Sequence, residues 1–453
     1  MGLTLGTALR MLPRARARNR DEGSPSSSVA FVGAGGKTAS IFALARELPF
    51  PTLVTTTTHM GAWQLDQADA HIVAETPAAL VRLGERKITI VTGPADADDR
   101  LGSVTPEVLH SLRRESLAHV WPLLIEADGA GQRLLKAPGD DEPQIPSFAE
   151  VVVVVAGMRA VGRKLDQESV HRPEIFAGLS GLELNGTITG DAICQVLADE
   201  WGGLKRIPTR ARKVALLNQA DTPELQAEAR KMVHSLRRSY DAILVATADT
   251  NTVHAVHEPC AGIVLAAGGA SRFGRPKQLL AWRGQPLVHA AAQSAITSGL
   301  SPVIVVTGAY GQQVEAAVRD LPITIARNEQ WQDGQSSSIR SGLDATPASI
   351  GSAVFLLADQ PLVTPSVIQA LIDAHSSEPA AIVAPLIRGD RRGNPVLFDR
   401  ETFADLRALR GDDGGRAIFS MHCVHFVPWH DDQIARDIDT QEDYRSLLEN
   451  DPS

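Results

Sequence analysis

Residues 262–280 read GIVLAAGGASRFGRPKQLL, and they predict a buried strand that runs into an anion-binding loop. The apolar run from Ile263 to Ala267 is too short for a typical helix and opens with β-branched residues. It stops at paired glycines, which tolerate positive φ and allow backbone N–H groups to close on a phosphate. Arg272 and Lys277 then supply the positive charge that a triphosphate requires. This stretch therefore predicts a nucleotide-binding loop at the end of a strand.

The loop matches neither of the two common phosphate-binding motifs. No Gly-Lys-Ser/Thr closes it, and its glycine spacing differs from that of a dinucleotide fingerprint. Taken alone, it is also compatible with a glycine-rich strand-to-helix turn that carries incidental surface charges. The rest of the C-terminal half has to distinguish these two interpretations.

From Ala261 onward, short apolar runs alternate with helix-length segments. The predicted strands are 263–267, 302–306, 323–326, 353–357 and 381–385. The predicted helices are 287–297, 312–319, 336–345 and 365–374. Such alternation is typical of right-handed βαβ units, a mostly parallel sheet and ligands at the carboxyl ends of strands. We therefore predict a Rossmann-like α/β domain.

Two aspartates are candidates for holding a divalent cation. Asp359 follows the apolar run 354–358, where a strand is expected to end. Nucleotidyl transfer requires a cation that offsets charge on the phosphates, and Mg²⁺ prefers carboxylate ligands and water. Asp439 directly precedes a capping box that starts the last helix, so it can supply the second carboxylate. Asp437 is the alternative to Asp439.

As a whole string, Leu-Ala-Ala-Gly-x-x-Ser-Arg-Phe-Gly-x-x-Lys resembles the signature loop of the MobA-like nucleotidyltransferases. Within them it is most similar to the molybdenum cofactor cytidylyltransferases (MocA type), because the guanylyl branch carries Leu-Ala-Gly-Gly instead. Ala-Asp359-Gln-Pro and the D-x-D-T segment around Asp439 also resemble family segments. The resemblance implies transfer of CMP from CTP to the phosphate of Mo-molybdopterin, with release of pyrophosphate. The implied product is molybdopterin cytosine dinucleotide, and the implied cation is Mg²⁺ or Mn²⁺ on Asp359 and Asp439.

The motifs and this resemblance together give a set of expected site residues. The expected catalytic residues are Arg272, Lys277, Asp359 and Asp439. The expected nucleotide contacts are Leu265, Ala266, Ala267, Gly268, Gly269, Ser271, Gly274, Ser337 and Ser338. The expected acceptor contacts are Arg392, Asn394 and Arg416, although a surface turn is the alternative interpretation of their two glycine-rich segments.

Two other functions remain open from the sequence. A GTP-using or sugar-phosphate nucleotidyltransferase has the same requirements for a loop and a cation. Alternatively, the whole chain is a nucleotide-dependent chaperone that delivers the cofactor without transfer chemistry.

A second glycine loop opens the N-terminal half. Residues 29–38, VAFVGAGGKT, form an apolar run that closes on Lys-Thr before a helical stretch. Lysine suits phosphates, threonine suits Mg²⁺, and the helix N-terminus adds backbone donors. The leading glycine of the full P-loop pattern falls on Phe31, so this loop is shortened. The predicted phosphate site comprises Gly33, Gly35, Gly36, Lys37 and Thr38.

Two later segments match other parts of a nucleotide-binding domain. Asp128 stands in a D-x-x-G pattern typical of γ-phosphate sensors, although an acid at a strand end often caps a helix instead. Asn218-Gln-Ala-Asp221 resembles the N-K-x-D guanine reader with Gln in place of Lys, so ATP and GTP both stay open.

Together with Glu126-Ala-Asp-Gly-Ala and Leu135-Lys-Ala-Pro138, residues 29–245 resemble the YqeC family. That family is described as an accessory protein of selenium-dependent molybdenum hydroxylases. The resemblance implies handling of a molybdenum enzyme or its cofactor, with an apo-hydroxylase or its maturation chaperone as a partner.

Length and composition agree with a two-domain enzyme. For 453 residues we expect a flexible tail over 1–28, a P-loop-type domain over 29–246, a linker over 247–260 and a nucleotidyltransferase domain over 261–453. A net charge of −9 argues against nucleic acid or an anionic membrane as a partner. Three scattered cysteines favour a reduced, cytoplasmic compartment, and no apolar stretch approaches the ~20 residues that span a bilayer. The tail has its arginines after its apolar run, the wrong order for a secretory signal.

Overall fold

The computed structural model describes residues 3–12, 28–96, 100–269, 273 and 275–449. The chain forms two compact units, which divide between His257 and Glu258. Each unit is built around one large sheet. Within the described residues, no helix combines the length and the apolar character needed to cross a bilayer.

The N-terminal unit contains a nine-stranded sheet. Its strands are β1 (Ser28–Gly33), β2 (Thr52–Thr56), β3 (Ala70–Val73), β4 (Ile88–Thr92), β5 (Leu123–Glu126), β6 (Val151–Gly157), β7 (Arg212–Asn218), β8 (Ala242–Thr247) and β9 (Thr252–His257). Their order across the sheet is β9-β8-β7-β6-β1-β5-β2-β4-β3, and the edge strand β9 runs antiparallel to β8. The loop after β1 therefore lies near the middle of the sheet.

Helices cover both faces of this sheet. They are α1 (Leu5–Ala8), α2 (Lys37–Glu47), α3 (Pro106–His119), α4 (Pro173–Ser180), α5 (Gly190–Ala198) and α6 (Pro223–Leu236). Alternate residues of β1 enter different cores, since Ala30 and Val32 pack on one face and Val29 and Phe31 on the other. A strand buried on both faces explains why its apolar run is continuous rather than alternating.

The predicted tail and linker are each partly wrong. Leu5 and Ala8 are buried in the core as part of α1, and the N–H of Val253 donates to the carbonyl oxygen of Leu3 at 2.9 Å. The predicted linker forms β9, because Val253 and Val256 find buried positions when the chain folds back against β8. Residues 1, 2 and 13–27 of the predicted tail lie outside the described residues.

The C-terminal unit contains an eight-stranded sheet. Its strands are β10 (Cys260–Ala266), β11 (Val303–Thr307), β12 (Thr324–Arg327), β13 (Ser352–Leu357), β14 (Ile382–Ile387), β15 (Arg391–Arg392), β16 (Val396–Asp399) and β17 (Val424–Trp429). The order is β12-β11-β10-β13-β16-β14-β15, and β17 pairs in parallel with β14. The flanking helices are α7 (Leu287–Thr297), α8 (Gly311–Ala317), α9 (Gln335–Asp344), α10 (Pro365–Ser377), α11 (Phe403–Ala408) and α12 (Gln441–Glu449).

The α/β fold predicted for this half is confirmed. The predicted helix 287–297 is α7 itself, and the five predicted strands coincide with β10 to β14 apart from a few terminal residues. The antiparallel strand β16 enters between β13 and β14, so the sheet is mixed at this end. Strands β10 and β13 are adjacent and parallel, so their carboxyl ends meet at one edge of the sheet. That edge receives both the glycine loop and Asp359.

Candidate functional site

One lysine and two aspartates converge at the carboxyl edge of the C-terminal sheet. The Nζ of Lys277 lies 2.9 Å from Oδ2 of Asp359 and 2.7 Å from Oδ1 of Asp439. Lys277 belongs to a short helical turn after the glycine loop, and Asp359 follows β13. The structure thus brings together three of the four predicted catalytic residues. The fourth, Arg272, lies outside the described residues, as do Ser271 and Gly274.

The backbone around Asp439 is fixed from two directions. The N–H of Ile438 donates to the carbonyl oxygen of Asp359 at 3.1 Å, which ties this segment to the end of β13. The carboxylate of Asp443 accepts from the N–H of Thr440 at 2.7 Å, and the hydroxyl of Thr440 accepts from the N–H of Asp443 at 3.1 Å. This is the predicted capping box, and it holds Asp439 one residue ahead of the cap.

Burial and neighbouring charges shift two pKa values in this cluster. Partial burial lowers the pKa of Lys277, but Asp359 and Asp439 outweigh that effect and raise it above its ordinary value. Burial raises the pKa of Asp437, as do Asp359 and Asp439, although a hydrogen bond from Gln360 opposes the rise. The two neighbouring aspartates also differ in their partners. Asp437 accepts a 2.5 Å hydrogen bond from Gln360, whereas Asp439 contacts Lys277.

The two aspartates fit a divalent cation. Oxygens from Asp359 and Asp439 already converge on one positive centre, the Nζ of Lys277. Carboxylate oxygens that share a point charge are the donor type that Mg²⁺ and Mn²⁺ accept. Within the described residues no cluster of three or more His, Cys, Asp or Glu side chains forms a metal site. Phosphate oxygens and water commonly complete the coordination of Mg²⁺.

An open cleft of about 430 Å³ lies beside this cluster. The predicted contacts that line it are Leu265, Ala266, Ala267, Gly268, Gly269 and Ser338. A side chain at Gly269 would collide with the ring of Trp331, whose nearest atom lies 2.8 Å from the position of an added Cβ. The glycine therefore lets the loop pass close to an aromatic wall that the sequence analysis missed.

Gln278 and Asn328 form hydrogen bonds that position the segments lining the cleft. The buried side-chain amide of Gln278 donates to the carbonyl oxygens of Ala266 at 3.3 Å and Gly268 at 3.1 Å. The amide of Asn328 donates to the hydroxyl oxygens of Ser337 at 2.8 Å and Ser338 at 3.0 Å. Ser337 also donates to the carbonyl oxygen of Gly334, so its hydroxyl is engaged inside the protein. Of the two predicted serines, Ser338 lines the cleft.

A second cavity, of about 390 Å³, adjoins the first. The three predicted acceptor residues, Arg392, Asn394 and Arg416, all line it. Leu265 and Leu357 line both cavities, so the two share a wall. Two adjoining cavities, with a lysine and paired carboxylates beside the first, can hold two substrates next to one another.

The N-terminal unit contains a separate charged cluster at its own glycine loop. The Nζ of Lys37 lies 2.6 Å from Oδ1 of Asp128 and donates to the carbonyl oxygen of Gly33 at 2.6 Å. The other oxygen of Asp128 accepts from the N–H of Gly33 at 2.9 Å. Gly35 has a φ of +82° and passes so close to the backbone of Gly157 that no side chain fits there. Thr38 and Gly36 line an open cleft of about 730 Å³ above this loop.

Comparison with known proteins identifies both units. The family described as MobA-like NTP transferase domain matches residues 262–426, and the family described as YqeC protein matches residues 29–174. Nicotine blue oxidoreductase of Paenarthrobacter nicotinovorans is 31% identical over 201 residues, which cover 42% of this chain and 97% of that protein. The uncharacterized protein YqeC of Escherichia coli K12 is 32% identical over 200 residues, which cover 42% of this chain and 75% of that protein.

This chain joins a YqeC domain to a MobA-like NTP transferase domain. Among solved structures, Rv0371c from Mycobacterium tuberculosis H37Rv is 29% identical, with a TM-score of 0.39. That match covers 42% of this chain and 97% of Rv0371c.

In the N-terminal unit, Asn218 holds the glycine loop in place by hydrogen bonds. Its amide donates to the carbonyl oxygen of Gly35 at 2.8 Å, and its side-chain oxygen accepts from the N–H of Ala248 at 2.9 Å. Asp221 pairs with Arg159. Gln219 lies between Asn218 and Asp221, the two residues predicted to contact the base. Of these three residues, Gln219 lines the cleft. The sequence did not predict a cleft contact for Gln219, because the motif assigns base contact to Asn218 and Asp221.

A chain of buried and partly buried charges extends from Asp128 of the YqeC domain. Lys136 contacts Asp128 at 3.1 Å and Glu142 at 2.6 Å, and Arg172 contacts Glu142 at 2.7 Å. Burial raises the pKa of Glu142, but hydrogen bonds and charge from Arg172 and Lys136 outweigh it and lower the pKa to about 2. The carboxylate therefore stabilises the fold above its ordinary pKa of 4.5 and stops doing so as pH falls towards 2.

Glu142→Gln is expected to destabilise the protein by about 1–2 kcal/mol at pH 7, because Lys136 and Arg172 lose a shared anion. The difference from wild type should close as pH falls from about 5 to about 2, where the wild-type carboxylate also becomes neutral. Chemical unfolding at a series of pH values measures it, with the exposed Glu85→Gln as the matched control. A difference in unfolding free energy that does not change with pH would contradict this explanation.

Proposed function

We propose that the MobA-like domain transfers CMP from CTP to the terminal phosphate of Mo-molybdopterin. An oxygen of the acceptor phosphate attacks the α-phosphorus, and the bond to the bridging oxygen breaks to release pyrophosphate. The observation that carries the proposal is the convergence of Lys277 on Asp359 and Asp439 beside two adjoining cavities. The attacking phosphate is already anionic, so the reaction needs no general base.

Each group of residues has one task in this scheme. Lys277, together with Arg272, neutralises the charge of the triphosphate and of the leaving pyrophosphate. Asp359 and Asp439 hold Mg²⁺ or Mn²⁺, which when bound offsets charge on the phosphate oxygens. The glycine loop and Ser338 bind the nucleotide, and Arg392, Asn394 and Arg416 bind the acceptor. Positioning two anions in line supplies much of the rate enhancement.

The choice of CTP is supported by the Leu-Ala-Ala-Gly segment. Ala267 is buried and lines the cleft, and in this proposal its methyl group limits the space left for a base. A smaller pyrimidine fits such a pocket more readily than a purine.

Ala267→Gly is therefore expected to raise the ratio of kcat/KM for GTP to that for CTP by about tenfold. Initial rates of pyrophosphate release with each nucleotide measure the ratio, and the exposed Ala348→Gly serves as a control for the loss of a methyl group. An unchanged ratio would mean that the base is selected elsewhere.

The decisive experiment is incubation of the full chain with CTP, Mg²⁺ and Mo-molybdopterin, followed by mass spectrometry of the pterin product. A mass increase of one CMP supports the proposal. Product only with GTP or with a sugar phosphate would replace it by another nucleotidyltransferase activity. Absence of any pyrophosphate would favour the cofactor chaperone.

The similarity to nicotine blue oxidoreductase supports a second candidate, a redox reaction on an organic substrate. Oxidation of NADH or NADPH by the full chain in the presence of nicotine blue tests it. A dye-dependent rate that persists without CTP would favour this candidate over nucleotidyl transfer.

For the YqeC domain we propose binding of ATP or GTP at the glycine loop. Lys37 and Thr38 contact the phosphates, and Asp128 responds to the terminal one. The domain would serve maturation of a molybdenum hydroxylase, with the apo-enzyme or its chaperone as partner.

A further inference from the structure

The cleft of the YqeC domain extends to both sides of its phosphate loop. Gln219 follows β7, and Thr58 follows β2; both line the same cleft. In the sheet order β7-β6-β1-β5-β2, these residues lie on opposite sides of β1, which carries the loop. A nucleotide whose base lies towards Gln219 therefore leaves the β2 side of the cleft free for another molecule.

The β2 side is lined by buried hydrogen-bond acceptors. The Nε2 of Gln64 donates to Oε2 of Glu126 at 3.3 Å, and both side chains are more than nine-tenths buried. The Oε1 of Gln64 and the hydroxyl of Thr58 are buried as well, and neither has a hydrogen-bond partner within the described part of the chain. Buried polar atoms without partners are costly, so a ligand that donates hydrogen bonds to this cluster would remove that cost.

The charge of the cluster limits what that donor can be. The carboxyl group of Glu126 disfavours an anion, and an amide oxygen with a single carboxyl group is a poor cage for a metal ion. The amide oxygen of Gln64 accepts hydrogen bonds and cannot donate them. Neighbouring N–H groups on a neutral ligand satisfy such acceptors.

A flat apolar surface stands on the same side of the cleft. Trp63 lines it with 53% of its surface exposed, next to Gly61, where an added Cβ would lie 2.4 Å from the indole nitrogen. An exposed indole beside buried acceptors is the arrangement that binds an aromatic heterocycle by its face and by one edge.

We propose that Thr58, Trp63, Gln64 and Glu126 form a second ligand subsite of the YqeC domain. It takes a planar heterocycle with the 2-amino-4-oxopyrimidine edge that guanine and pterins share. The ring N–H and the amino group of that edge donate to Glu126 and Gln64, and the ring stacks on Trp63. This subsite does not depend on the reaction proposed for the MobA-like domain.

Two matched pairs of compounds test the chemistry on the full chain. Pterin and lumazine differ in the 2-amino group, as do guanosine and inosine. Fluorescence anisotropy of the pteridines, and competition by the nucleosides, should show binding at least about tenfold tighter for the amino member of a pair. The pair that shows this preference identifies the source of the edge as a pterin or a guanine compound.

Variants assign the binding to this cluster. Glu126→Gln should abolish the preference for the amino compound, whereas the exposed Glu183→Gln should keep it. Trp63→Ala should weaken binding of both members about fivefold, and Trp63→Phe should restore it. Because Trp63 is half exposed, that pair stays informative even when Glu126→Gln fails to fold.

Three results would overturn the proposal. The first is equal binding within both pairs, and the second is a preference that survives in folded Glu126→Gln. The third is binding that disappears in the Arg392→Ala, Arg416→Ala double variant but not in Trp63→Ala, because it places the compound in the MobA-like domain.

Discussion

Replacing Asp359 with asparagine is expected to lower pyrophosphate release by about a thousandfold. Asparagine keeps the shape of the side chain but removes the charge that Lys277 contacts at 2.9 Å. The cation would lose one of its two carboxylates, and the remaining one, on Asp439, is half exposed to solvent. A coupled assay of pyrophosphate with CTP, Mg²⁺ and acceptor measures the effect.

Asp373→Asn provides the matched control, because Asp373 lies exposed on α10 and hydrogen-bonds to Gln369 in the same helix. It should retain wild-type activity. Thermal unfolding of both variants separates a loss of chemistry from a loss of folding. Activity of Asp359→Asn within a few-fold of wild type would remove this residue from the reaction and with it the main support for nucleotidyl transfer.

Lys37→Ala is expected to weaken nucleotide binding by the YqeC domain about a hundredfold, while pyrophosphate release by the MobA-like domain continues. The Nζ of Lys37 is held at the loop by Gly33 and Asp128, so it is already positioned to meet a phosphate. Asp128 keeps its contact with Lys136 in the variant, and the loop retains a partner for that carboxylate. Titration calorimetry with non-hydrolysable ATP and GTP analogues measures the loss.

The control is Lys231→Ala, since Lys231 is exposed on α6. Equal binding in Lys37→Ala and Lys231→Ala would place the nucleotide elsewhere. Loss of pyrophosphate release in Lys37→Ala would show that nucleotide binding by the YqeC domain and pyrophosphate release are coupled. It would favour a single nucleotide-dependent activity of the whole chain over two independent sites.

Local sequence was sufficient for most of the secondary structure. The apolar runs before Gly33 and Gly268 are continuous because both faces of β1 and β10 are buried, and this pattern predicts parallel strands without further information. The capping box at Thr440 could also be predicted from the sequence, since capping depends on residues three positions apart. The tail and linker were misjudged because α1 and β9 depend on contacts with distant segments rather than on their own composition.

The sequence by itself determined the fold class, the two glycine loops and the identity of Lys277, Asp359 and Asp439 as candidates. Only the tertiary structure decided that these three meet, because Lys277 is 82 residues from Asp359 and 162 from Asp439, and the parallel pairing of β10 with β13 sets the distance. The tertiary structure also decided that Asn218 hydrogen-bonds to the glycine loop at Gly35, and that Gln64 and Glu126 lie together in one cleft. Hydrogen bonds between distant segments leave no periodic trace in sequence, and therefore they become visible only in the folded chain.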